Sequence, residues 1–257
     1  MMTPIMATPI TAPITVKATT RMVIKRWAIR IHKWVALAIG LQIVLWVLGG
    51  VVMSAIPIER VHGDHNIAPQ TAGALDIEGV LAPMAVAERA GVTPLRAELR
   101  DYLGQTVYVF STTAGPVRVD ARSGERLPPV TEEEAIRIAR ADYAGDDEIA
   151  EVRFFPEPSW EYRREGPAWR VEFDDGEHTR LYVSTESGTV TARRNDSWRV
   201  FDTFWALHIM NFGDREDFNH PLLIIASVLA LISSLAGLYL LFPWIARLMG
   251  WGRRTPS

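Results

Sequence analysis

The sequence contains no cysteine. Disulfides, thiolate-held zinc and iron–sulfur centres are thereby excluded, and any exported part of the chain must be held together by its core. Acidic residues are missing from both ends: none precedes Glu59 and none follows Asp217. Four catalytic signatures are also missing, namely H-E-x-x-H, G-x-S-x-G, G-x-x-x-x-G-K and G-x-G-x-x-G. Zinc-protease, hydrolase-elbow, P-loop and dinucleotide readings lose their footing with them. A net charge of −3 over 257 residues, 22% of them charged, excludes a basic nucleic-acid binder and a disordered polyampholyte. No nucleic-acid partner is expected.

Two long runs carry no charge at all: Val35 to Ile56, 22 residues, and Pro221 to Trp244, 24 residues. Each exceeds the ~20 residues that cross a ~30 Å hydrocarbon core at 1.5 Å per residue. The flanks of these runs hold nine of the 27 Lys/Arg, among them Lys25, Arg26, Arg30, Lys33, Arg247, Arg253 and Arg254. Residues 57 to 219 hold the other 18 with all 30 acids, a balance of −12. Because Lys/Arg gather on the cytoplasmic side, both termini are expected in the cytosol, with 57–219 outside. A cleaved signal peptide has an apolar core of only ~7–15 residues, so the first run reads as a retained anchor.

The segments then read as a Thr- and Pro-rich basic leader (1–30, disordered), a first span (31–56), an exported domain, an interfacial segment (197–219), a second span (220–244) and a cytoplasmic tail (245–257). Small residues four apart in both spans, Ala36/Gly40 and Ala226/Ala230/Ser234 among them, allow close packing on each other or on a partner. Gln42 is the polar residue in the first span that could hydrogen-bond between helices.

The exported stretch predicts an α+β fold of two helix-plus-antiparallel-sheet repeats, 57–128 and 129–196, inserted between two transmembrane helices. Thr131 and Glu134 form a T-x-x-E capping box ahead of the apolar face of Ala135, Ile136, Ile138, Ala139 and Tyr143. Strands follow at 149–155, 168–173, 179–183 and 189–193, joined by hairpin turns such as Asp174-Asp175-Gly176. Upstream, a helix near 77–90 precedes strands at 95–100, 106–110 and 117–120. The alternation in Val117-Arg118-Val119-Asp120 and in Trp169-Arg170-Val171-Glu172-Phe173 predicts sheets with one solvated face.

These features together resemble the PepSY family, and more narrowly its members with PepSY-associated transmembrane helices. The likeness rests on Ile31-His32-Lys33-Trp34-Val35, on Thr131 to Ala139, on Arg180 to Val190, and on Ala206-Leu207-His208-Ile209. It implies small exported modules tied to the inner membrane, inhibitory propeptide-like in some settings. In others the transmembrane relatives are haem-bearing reductases of iron-siderophore handling, with histidines near helix ends as haem ligands. By that resemblance His32 and His208 stand at ligand positions for haem b. Those relatives have about four spans and this chain has two, so a homodimer or a membrane redox partner would complete the bundle, alongside the lipid bilayer itself.

Each histidine also has a plainer reading. His32, between Ile31 and Lys33, is an anchor residue at a membrane mouth. His208 shares a three-and-four spacing with Trp198, Phe201, Trp205 and Phe212, the apolar stripe of an amphipathic helix lying at the outer surface, with Arg199 and Asp202 towards water and Asp196 or Ser197 as cap. His220 is a third candidate haem ligand or a helix-start residue beside Pro221. His62 and His65, with Asp64 as an acceptor for an imidazole N–H, are either a metal pair or solvated loop. His178 reads as hairpin surface. The span separates His32 from His208 by about 33 Å, too far for one haem in one copy. Three function classes remain open: a haem-b electron-transfer subunit with an exported regulatory module, a non-redox module that binds or inhibits an exported protease, and a structural subunit of a membrane complex. Catalysis by this chain alone is not expected.

Overall fold

The computed structural model describes residues 15–69, 75–213, 215, 217 and 219–249, and divides into two units, Gly50–Ala206 and the flanking segments 1–49 with 207–257. In the flanking unit, helix α1 (Thr15–Ala55) and helix α6 (Pro221–Leu248) dominate. Helix α1 starts well upstream of residue 31, where the leader was expected to end. Pro13 is the last proline before it, and the Lys, Arg, Ala and Met that follow let the helix of the span extend backwards. Residues 1–14 lie outside the described residues. Within α1, Lys33–Ala55, 23 residues of mean hydropathy 2.4, is long and apolar enough to cross a membrane. In α6 the apolar stretch among the described side chains is shorter, Pro221–Leu235.

The middle unit holds a short helix α2 (Ile58–His62), a 3₁₀ turn (Asp64–Asn66) and helix α3 (Pro83–Arg89), the last shorter than the helix expected near 77–90 because Pro83 sets its first turn. Strands β1 (Arg96–Tyr102), β2 (Gln105–Thr112) and β3 (Gly115–Asp120) form an antiparallel meander in the order β1-β2-β3. Helix α4 (Glu132–Asp142) follows, and its capping box forms as the sequence predicts. The Glu134 amide donates to Thr131 Oγ1 (3.3 Å) and the Thr131 amide donates to Glu134 Oε2 (2.9 Å). Strands β4 (Ile149–Phe155), β5 (Ala168–Phe173), β6 (Arg180–Ser184) and β7 (Val190–Arg194) make the second meander, order β4-β5-β6-β7. Helix α5 (Asp196–Ile209) leads out of it. Helix α3 thus precedes a three-stranded antiparallel meander and α4 a four-stranded one.

One apolar cluster joins the two meanders. It takes Tyr102, Val107 and Val109 from the first sheet, Ala135, Ala139 and Tyr143 from α4 and the residue after it, and Val171, Phe173, Leu181 and Val183 from the second. The alternate residues of β2, Tyr108 and Phe110, pack with Val86 and Ala87 of α3. Strand β2 is therefore covered on both sides. The other face of the second sheet, Ala168, Tyr182 and Ala192, packs with Tyr162 from the β4–β5 loop. Expecting each sheet to keep one face in water was wrong for the residues that suggested it: Arg118 is 2% exposed and Arg170 8%. Arg118 lies over the Tyr102 ring, donates to the Pro128 carbonyl and is met by the β6–β7 turn at Gly188, while Arg170 lies between Glu151, Glu172 and the Phe155 ring, cover that a strand-by-strand reading of alternation does not see.

Candidate functional site

Helix α5 is capped by neither of the residues expected. Asn195 Oδ1 accepts the Trp198 amide (2.7 Å), and Asn195 Nδ2 donates to the Arg60 carbonyl (2.8 Å), so the cap also ties α5 to α2. Asp202, expected in water, is 3% exposed and paired with Arg163 Nη2 (2.7 Å). Arg199 is held between Glu161 (2.7 Å) and Asp196 (2.7 Å). The stripe picture fails at these two positions because the loop 156–167 offers opposite charges to the supposedly wet side of the helix.

That loop centres on Glu161, which is 2% exposed. Its carboxylate accepts from Arg180 Nη1 (3.0 Å), Arg199 Nε (2.7 Å) and the Tyr182 hydroxyl (2.7 Å). Burial pushes its pKa up, but the hydrogen bonds from Arg199, Tyr182 and Arg180 outweigh burial and hold the carboxyl below the usual range. Arg180 reaches on to Glu172 (2.9 Å), and Glu172 and Glu151 both flank Arg170. Beside this chain lies Arg194, whose Nε and Nη1 donate to the carbonyls of Glu161 (2.8 Å) and Arg193 (2.7 Å). Burial, with Arg163 nearby, pushes its pKa down to about 10. The Arg194 guanidinium sits 4.2 Å from the centre of the Trp198 ring and that of Arg163 5.3 Å from it. Every carboxylate in this network is matched by a guanidinium, an arrangement that locks a fold and offers no free acid or base for catalysis.

The β5–β6 hairpin turn makes a second cluster. Glu177 accepts from Arg60 Nη2 (2.8 Å) and faces His65 Nε2 (2.9 Å), while His178 Nδ1 faces Asp196 (2.8 Å). Burial raises the Glu177 pKa, and Arg60 and His65 more than offset it, leaving the group below the usual carboxylate range. The hydrogen bond that protonated His178 donates to Asp196, and then the charge of Asp196, raise the pKa of His178 above the ordinary imidazole value. The partner of His65 is thus Glu177 across the fold, and not its neighbour Asp64. His62 is exposed. Among the described residues no three His, Asp or Glu converge in a metal-holding group.

In the flanking unit, the His208 carbonyl accepts from Trp46 Nε1 (2.8 Å), and the two rings lie 6.2 Å apart. Trp46 stands near the middle of the apolar stretch Lys33–Ala55. The last turn of α5 is therefore beside the interior of that stretch. His220 precedes α6 as its N-cap residue but makes no side-chain cap bond, and its Nδ1 is buried with no hydrogen-bond partner among the described residues. His32 lies in α1, and its side chain falls outside the described residues. Sequence spacing singled out His208 but could not reveal Trp46 as its neighbour, 162 positions away. The Glu161 network carried no motif; its only signal was the run of charges at alternate strand positions, read as a wet face.

Compared with known families, residues 29–257 match the model of the PepSY-associated TM region. No curated protein and no solved structure matches the chain.

Proposed function

The chain belongs to the PepSY-associated transmembrane family, and from that premise we propose that it is a two-pass inner-membrane subunit that carries electrons through haem b. The α+β unit between the two spans, exported, serves as a binding and regulatory module. The observation that carries the redox part is the His208 imidazole beside Trp46, within the apolar stretch of α1. An ionisable side chain at such a depth is costly and marks function by default. The donor chemistry fits, since imidazoles on membrane helices are the usual axial ligands of haem b. His32 is fourteen residues from Trp46 on the same helix, about 21 Å by helical rise, so it would serve a different haem from His208. A homodimer brings a second His208 and a second His32 and so completes each pair; His220 is a further ligand candidate. Bound haem would supply one-electron transfer. The chain's own part would be to hold the imidazoles in apolar surroundings, away from water that would compete for the iron. With no flavin- or nicotinamide-binding motif in the chain, electrons come from a membrane redox partner.

An absorption spectrum of the detergent-solubilised protein, made with ample haem, tests this. The expected result is a Soret band that weakens in His208→Ala and separately in His32→Ala. A colourless protein, or one whose band ignores both substitutions, overturns it.

A second reading is favoured by strand β4. It is an edge of its sheet, mostly exposed along its length, with Phe154 45% exposed. Such an edge can accept an extended segment of a partner by strand addition. A protease-binding role would then require that excess protein slow an exported protease, and that Val152→Pro on this edge abolish the effect.

A further inference from the structure

We propose that the aromatic and basic cluster around Trp160 and Trp198 is a docking surface for phospholipid headgroups, by which the exported domain rests on the bilayer. Trp160 is 54% exposed, and its ring lies 6.0 Å from that of Trp198. Arg163 is fixed beside both: its Nε donates to the Trp160 carbonyl (3.0 Å), and its guanidinium lies over Trp198. Arg194 covers the Trp198 ring as well, and Arg164 next in the chain is exposed. Large indole rings are what the headgroup layer selects, because the ring is apolar with a polar edge, and while Arg163 and Arg194 are spent in holding the rings, the exposed Arg164 guanidinium can take a phosphate in two-pronged fashion.

Continuity with the span says which partner this surface meets. Trp198 stands one turn into α5, whose cap Asn195 is bonded to the main chain at Arg60. Arg60 follows Ala55, the last residue of the apolar stretch, by only five residues, a reach of at most about 17 Å even if fully extended. The cluster is thus leashed to the membrane exit by hydrogen bonds as well as by the chain. A rigid support lies behind it, since Arg163 is also paired with the buried Asp202. An exposed indole elsewhere on the domain would be a cost in water; here it has a layer to enter.

The natural chain has no cysteine, which makes the test clean. Single-cysteine variants of the full chain, Trp160→Cys and Arg164→Cys, are labelled with an environment-sensitive fluorophore and placed in phosphatidylcholine–phosphatidylglycerol nanodiscs. Thr113→Cys, on the exposed β2–β3 turn, is the control. Lipids carrying a spin label high on the acyl chain should quench the dye at 160 and at 164 several-fold more than at 113, and more than lipids labelled at the chain end. The Arg164→Cys variant keeps Trp160, so the result does not depend on losing that ring. Quenching at 160 and 164 no greater than at 113 would overturn the proposal, and would point to a protein partner for the patch. A Soret band is not needed for either outcome, so failure here leaves the haem reading untouched.

Discussion

At the scale of the residue, the middle unit depends most on Glu161. Its side chain is 3% exposed and neutralises Arg180 and Arg199 while accepting from Tyr182. Removing one member of a buried pair leaves the others uncompensated, so Glu161→Gln should cost about 3 kcal/mol in denaturant unfolding of the solubilised protein. Tyr182→Phe should cost about 1 kcal/mol, a single hydrogen bond. The sign of the pH dependence follows from the lowered Glu161 pKa. A carboxyl that ionises more readily when folded adds stability that is complete above its unfolded pKa and is lost as pH falls through the folded one. Acidification below the ordinary glutamate range should therefore destabilise the natural protein more steeply than Glu161→Gln. His178 behaves oppositely, because Asp196 raises its pKa. Its contribution is present in full below the ordinary histidine value and fades as pH rises through the raised one. A pH series of melting curves should show a small decline above neutrality that His178→Gln lacks.

At the scale of the element, the sequence was most readable where local chemistry decides the outcome. Thr131 and Glu134 announced α4 because a capping box satisfies amides within its own turn, and Thr131→Ala should lower stability by about 1 kcal/mol in the same unfolding measurement. Strand positions followed from alternation and turn chemistry. What alternation could not say is which polar face is later covered by another segment, so Arg118, Arg170 and Asp202 were read as wet and are buried. The cap of α5 was misplaced by one residue, since Asn195, Asp196 and Ser197 are all good caps and the choice depends on the distant Arg60 carbonyl. The link between meanders was equally hidden. Gly188, in the β6–β7 turn at φ +66°, lies against Arg118 of β3 and Tyr102 of β1, so a Cβ there would come within 2.5 Å of Arg118 Nη1 and 2.6 Å of the Tyr102 ring. Gly188→Ala should destabilise by more than the 1–2 kcal/mol, roughly, of the left-handed conformation alone. A melting temperature that is unchanged would mean the turn can move away from the first sheet freely.

At the scale of the whole molecule, the account rests on charge and hydropathy being distributed along the chain in blocks. Basic ends, two apolar runs and an acidic middle predict a topology before any contact is considered, and the chain's match to the PepSY-associated TM region agrees with a membrane protein. The site was only partly legible: His208 could be named from its helical stripe, whereas its neighbour Trp46 required the fold. Every functional statement, from haem ligation by the helix pair to headgroup docking at Trp160, assumes that residues 57–219 face away from the cytosol. The most direct measurement is therefore labelling of single-cysteine variants in intact spheroplasts with a membrane-impermeant maleimide, free of background because the natural chain has no cysteine. Thr113→Cys should label fully in intact spheroplasts and Thr19→Cys only after the membrane is opened. Protection of Thr113→Cys until permeabilisation, or labelling of Thr19→Cys without it, would contradict the account.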